Sequence, residues 1–140
     1  MTTEAALTVR NDVAELVRLN SFLEQFWAEH RLPEDIAGDV TLALEEVFLN
    51  VVNHGYTDAA EHDIVVRLAL EEGCVALTVE DDGVPFNPLK APAPDIDKPL
   101  EERGIGGLGI HLVRQVMDGI EYARAGGRNR LAMTKRIGAT

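Results

Sequence analysis

From Asp12 onward the apolar residues Val13, Leu16, Val17, Leu19, Phe22, Leu23, Phe26 and Trp27 recur at steps of one helix face. Asp12 is a good N-cap, since its carboxylate can accept from the first unpartnered N–H groups, and "RLPED" ends the helix. Pro33 fits the first turn of a second helix, where a missing N–H costs no hydrogen bond. The pattern predicts this helix from about Pro33 to about His54, stopping at Gly55. Placed about 100° apart, Val40, Leu44, Val47 and Val51 form one apolar stripe, and Leu42, Phe48, Leu49 and Val52 extend it around the far side. A helix apolar on most sides is a buried one. A narrow polar strip interrupts it: Asp39, Glu46, Asn50, Asn53 and His54. Packing gives no reason for an acid and an amide one turn apart on a core helix, because each unpaired buried polar group costs ~1–3 kcal/mol. The strip is therefore a candidate working surface.

Elsewhere the period shortens. "ALTVRN" alternates enough for a short strand, and "HDIVVRLALEEGCVALTVEDDG" holds two β-rich runs meeting at Glu72-Gly73, as in a hairpin. Residues 85 to 103 contain five of the six prolines, a density that excludes a regular helix or a central strand. This stretch reads as a long mobile loop. A glycine-rich run, a helix through about Met117, and two closing strands, "IEYARAG" and "RLAMTKRI", follow.

Composition narrows the classes. The 140 residues make one domain, with 46% hydrophobic and 26% charged residues, as in soluble globular chains. No apolar run approaches the ~20 residues of a membrane span, and "MTTEAALTVRND" lacks the basic-then-apolar pattern of a signal peptide, so a cytoplasmic location and no membrane partner are expected. Cys74 stands alone, which excludes an internal disulfide; within "CVALTV" it reads as a small buried hydrophobe. A net charge of -11 argues against direct nucleic-acid binding, which needs a basic surface. An anionic ligand would need local N–H donors or cations.

Gly104, Gly106 and Gly109 spell G-x-G-x-x-G ahead of a helix. A dinucleotide fingerprint requires a strand running straight into those glycines within a βαβ unit. Here a proline-rich loop precedes them and the strands pair as hairpins, which argues against that reading. Four glycines within six residues, with Gly107 included, are a large entropic cost for a plain turn. They make sense where backbone approaches an anion, with N–H groups and a helix N-terminus as donors. Lys90, Lys98 and Arg103 add local positive charge.

"EEVFLNVVNHG", "DDGVP" and "RGIGGLG" stand in order on a buried helix, at a strand end and at a helix start. Together they resemble the N, G1 and G2 boxes of the GHKL ATPase superfamily. "LNVVNHGY", "DDGVPFNP" and "RGIGGLGIHLVRQVMD" are most similar to the bacterial anti-sigma factor serine/threonine kinases. The resemblance covers nearly the whole chain. It implies a Bergerat-type fold: an α/β (α+β) two-layer sandwich with a mixed, mostly antiparallel sheet and helices on one face. The 33–54 helix is expected between sheet and nucleotide, in one domain over residues 1–140 with an ATP lid at about 86–103.

The resemblance also implies roles. Asn50 would ligate Mg²⁺, a hard cation that favours oxygen. Glu46, one turn earlier, would be the general base toward a substrate hydroxyl, while Glu45 points about 100° away and takes a solvated or salt-bridging role. Asn53 would line the phosphate end, and His54 would serve the helix C-terminus. Asp81 would accept from the adenine amino group, with Gly83 letting the base lie close; Asp82 competes for that role from the opposite strand face. Pro85 stands where many relatives carry a second glycine. Arg103, Gly104, Gly106, Gly107, Leu108 and Gly109 would surround the phosphates. Asn129 or Thr134 would take the place of an adenine-side threonine.

The implied function is an ATP-dependent protein serine/threonine kinase that is also an anti-sigma factor. It would hold a sigma factor and phosphorylate a STAS-type antagonist; a homodimer is a further option the resemblance opens. The alternative is an ATP-binding regulatory module that sequesters a partner without phosphotransfer, against which the retained Glu46 speaks. A histidine-kinase ATPase half is a third reading, disfavoured because only 11 residues precede the first helix.

Overall fold

The computed structural model describes residues 3–90 and 107–137. Five strands form one sheet: β1 (Glu4–Arg10), β2 (Asp63–Glu71), β3 (Cys74–Asp81), β4 (Gly119–Ala125) and β5 (Arg128–Arg136). Their spatial order is β1-β2-β3-β5-β4, and all four pairings are antiparallel. Three helices accompany them: α1 (Leu16–His30), α2 (Glu34–His54) and α3 (Gly107–Val116).

Alternation decides which sheet face is covered. Val9, Ile64, Val66, Leu77, Val79 and Leu131 all fall on one face and are buried. Leu19, Leu23 and Phe26 of α1, with Val40, Leu44 and Phe48 of α2, complete the same core. The other sheet face carries Thr8, Arg67, Thr78, Glu80 and Arg130, and among the described residues none of the helices covers it. The β2–β3 turn lies at 72–73, as the sequence predicts. The β4–β5 turn uses Gly126 and Gly127, both at positive φ (60° and 76°), where a pair of glycines closes a two-residue hairpin without strain.

Several expectations need correction. Asp12 caps a short 3₁₀ turn, Val13–Glu15, through the Ala14 N–H, and α1 begins only at Leu16. Val13 and Val17 fitted the helical spacing, yet they are 48% and 73% exposed: Val13 lies in the 3₁₀ turn before α1, and Val17 is on the edge of α1 turned away from the core. Pro33 precedes the first turn of α2 instead of opening it. Cys74 is only half-buried, since it starts β3 on the uncovered sheet face opposite Arg136.

Asp39, on the polar strip of α2, has a structural partner. Lys135 of β5 reaches it at 2.9 Å and also donates to the Val116 carbonyl at 2.6 Å. One ammonium thus joins α2, the C-terminal end of α3 and the sheet, at the helix end where a cation is favoured.

Candidate nucleotide site

A mainly apolar cleft opens at the C-terminal ends of α2 and β3. Val47, Asn50, Val51 and Gly55 line it from α2, and Val79 and Asp81 from β3. Tyr122, Asn129 and Leu131 close the sheet side, with Phe86, Pro88 and Ile110 opposite. The helix and the sheet therefore both wall the cleft. The end of β3 and the start of β5 reach the cleft directly, so α2 does not screen the sheet from it.

Three polar side chains are buried on this wall: Asn50, Asp81 and Asn129. Asp81 ends β3 with an odd-numbered side chain, on the covered face, whereas Asp82 is exposed. Asp81 Oδ1 accepts from the Gly83 N–H and from Asn129 Nδ2, both at 2.9 Å. Its Oδ2 has no hydrogen-bond partner among the described residues. Asn50 likewise makes no side-chain hydrogen bond to a described residue although it lines the cleft. Such an amide oxygen suits a hard cation, so Asn50 fits the Mg²⁺ expected there.

Glu46 lies one turn before Asn50 and meets the start of α3. A Cβ added at Gly109 would collide with Glu46 Oε2, so the carboxylate rests against glycine backbone where a larger residue would exclude it. Gly107 opens α3, and Ile110 reaches the cleft beside Asn50. The structure thus brings Glu46 against Gly109 and Asn50 beside Ile110, both contacts falling on the first turn of α3. Asn53 is exposed and does not line the cleft. Arg103, Gly104, Gly106 and the expected lid beyond Lys90 lie outside the described residues, as does the Leu108 side chain. Glu45 is half-buried.

Between the two candidate threonine equivalents the geometry discriminates. Asn129 faces Asp81 across the β3–β5 ladder, whereas Thr134 pairs with Ala76 and Gly119 on the uncovered face. Sequence reasoning missed Tyr122, Phe86, Pro88 and Ile110 as cleft residues; β4 alternation placed Tyr122 inward, but nothing local tied it to Asn129.

Gly83 is fixed by its surroundings. Its carbonyl accepts from Arg124 Nη1 at 2.7 Å, and the next N–H, of Val84, donates to the Gly55 carbonyl at 2.8 Å. A Cβ at Gly83 would strike that Gly55 oxygen and come within 2.9 Å of Asp81 Oδ1. Gly83→Ala is therefore expected to lower stability by about 1–3 kcal/mol, the cost of overpacking against backbone. Chemical denaturation checks this, and an unchanged midpoint would show that the β3 end yields freely.

His62 clamps the segment after α2 to the strand end. Its Nε2 lies 2.8 Å from Asp58 and its Nδ1 3.1 Å from Asp82, and the Tyr56 ring stacks on it at 4.4 Å. Hydrogen bonds to Asp58 and then to Asp82 raise the His62 pKa above its ordinary 6.5. The same His62 contact, then the Ala60 N–H, lowers the Asp58 carboxyl below 3.8. Stabilisation from His62 is fully present below pH 6.5 and is lost as pH rises through the raised folded value. That from Asp58 is present above pH 3.8 and is lost as pH falls through the lowered value. Intrinsic-rate-corrected amide exchange at residues 58–62 should thus be slower at about pH 6 than at about pH 8, and His62→Ala should remove the difference. Burial first, then Asp81 and Asp82, pushes the Tyr56 hydroxyl up, so it stays a neutral donor; Tyr56 Oη and His54 Nε2 are buried without a hydrogen-bond partner among the described residues.

The chain is similar to known proteins in sequence and in fold. The chain is 29% identical over 116 residues to the serine/threonine-protein kinase BtrW of Bordetella bronchiseptica, an alignment covering 78% of this chain and 80% of that protein. It is 34% identical over 103 residues to the serine-protein kinase RsbW of Bacillus mycoides, covering 71% of this chain but 63% of RsbW. Among solved structures, the RsbU and RsbW domains of a Mycobacterium tuberculosis protein match with a TM-score of 0.72 and 19% identity, over 99% of this chain and 34% of that one. That likeness is one of fold, a GHKL-type ATPase fold. The profile of the histidine kinase-like ATPase domain matches residues 9–135, a span that takes in α2, the end of β3, α3 and the whole cleft between them, and by that match the chain belongs to the histidine kinase-like ATPase domain family.

Proposed function

We propose that the protein is an ATP-dependent serine/threonine kinase acting on a protein substrate, and an anti-sigma factor working by partner switching in the cytoplasm. One observation carries the catalytic half of this reading: Glu46 is seated against Gly109 at the N-terminal turn of α3, one helical turn from Asn50. A module that only held nucleotide would need Asn50 and Asp81 but no carboxylate beside the phosphate-binding backbone.

The residues divide the work. Asp81 and the apolar walls bind and orient the base. Asn50 would hold Mg²⁺, which neutralises phosphate charge during transfer. The α3 N–H groups face the phosphate end with the positive pole of the helix dipole. Glu46 takes the proton from the attacking serine hydroxyl. The kinase names of BtrW and RsbW support this reading. A sigma factor and a STAS-type antagonist are the proposed partners, and a second copy of the chain is a third.

Incubation with γ-labelled ATP, Mg²⁺ and candidate STAS-type antagonists tests it. The expected outcome is label on an antagonist serine, with ADP released in equal amount. Nucleotide binding without transfer to any antagonist offered would favour the sequestering module.

A further inference from the structure

Asn129 joins four segments of chain. It is 5% exposed and sits opposite Asp81 on the neighbouring strand. Its Nδ2 donates to Asp81 Oδ1 at 2.9 Å and to the Val84 carbonyl at 2.8 Å. Its Oδ1 accepts from the Tyr122 hydroxyl at 2.5 Å and from the Phe86 N–H at 3.4 Å. An amide has two donor hydrogens and two acceptor lone pairs, and all four are used. Rotated by 180°, the amide would set Oδ1 against the Asp81 carboxylate and the Val84 carbonyl, and Nδ2 against the Phe86 N–H. Only one orientation satisfies every partner.

That orientation has a consequence for Asp81. Oδ1 receives the Gly83 N–H and the Asn129 amide, so both its lone pairs are occupied. Oδ2 is left as the acceptor available to a ligand. We propose that Asn129, locked by Tyr122, is a positioning residue: it fixes the Asp81 carboxylate so that one oxygen reads a ring-amino donor of the bound base, and it ties that reading to the 84–86 segment. The inference rests on the reading of Asp81 as the base anchor. Without Asn129, Asp81 keeps one protein donor and its carboxylate plane is no longer fixed. The same substitution frees the Val84 carbonyl and the Phe86 N–H at the cleft mouth. Tyr122→Phe removes one bond of the four and keeps the ring.

The experiment compares ATP with purine riboside 5′-triphosphate, which lacks only the amino group, against wild type, Asn129→Ala and Tyr122→Phe. Melting temperature is recorded alongside for each. Wild type is expected to prefer ATP by about tenfold or more, the factor of one charge-assisted hydrogen bond. Asn129→Ala should bring the two affinities within about threefold by weakening ATP more than the analogue, since the positioning loss acts only through the amino contact and any loosening of residues 84–86 lowers both equally. Tyr122→Phe should move the same way by less and tests the lock even if Asn129→Ala folds poorly. Equal weakening of both nucleotides, or an unchanged ratio in both variants, would make Asn129 a plain strut and overturn the proposal. A wild type that binds both nucleotides equally would overturn it through Asp81, leaving nucleotide binding intact. A wild type that binds neither would overturn the proposed function with it.

Discussion

Glu46→Gln is expected to cut phosphotransfer to a STAS-type antagonist by about 10²–10⁴-fold, the usual contribution of a positioned general base. Gln keeps the length and shape that rest against Gly109, so the α2–α3 contact survives, but it cannot take a proton. Nucleotide affinity should stay within a few fold, because a carboxylate near the γ-phosphate offers that group no attraction. Asn50→Ala, by contrast, should weaken magnesium-dependent binding as well as transfer. Single-turnover transfer and equilibrium affinity, measured side by side, separate the two roles. Equal transfer by Glu46→Gln and wild type would reduce Glu46 to a structural carboxylate.

Asp81→Asn should weaken ATP binding by about 10²-fold. The amide oxygen would stay toward the Gly83 N–H and Asn129 Nδ2, which both donate. The new NH₂ group then occupies the Oδ2 position and meets the base amino group donor to donor. A charge-assisted hydrogen bond worth ~1.5–3 kcal/mol is lost and a buried donor is left unpaired. At a hundredfold excess over the wild-type Kd, ATP stabilises wild type by ~2.7 kcal/mol and such a variant by only ~0.4 kcal/mol. Thermal shift reads this directly. Asp82→Asn should keep the full shift, since Asp82 is exposed and bonded to His62. The reverse pattern would place the base anchor one residue later.

Local pattern carried much of this architecture. The apolar wheel of α2 marks a buried helix, and its polar strip singles out Glu46 and Asn50. The alternation of β2 and β3 marks the hairpin and sets Asp81 and Asp82 on opposite faces, and the fold covers the Asp81 face. Not every polar strip residue belonged to the cleft, however: Asp39 pairs with Lys135, and Asn53 is exposed. A wheel reports direction around one helix and is blind to what stands opposite.

The elements and the three motif segments follow from local pattern, because helix and strand periods and turn chemistry are properties of neighbouring residues. Which distant groups meet is settled by the packed fold. The strand order sets β5 beside β3, and that register puts Asn129 against Asp81 and sends Thr134 to the uncovered face. The Asn129–Asp81 bond, the seat of Glu46 at Gly109 and the contact of Gly83 with the Gly55 carbonyl all join residues far apart in sequence. Strand order follows from how the whole core packs, and a hydrogen bond across a ladder leaves no trace in the residues flanking either partner.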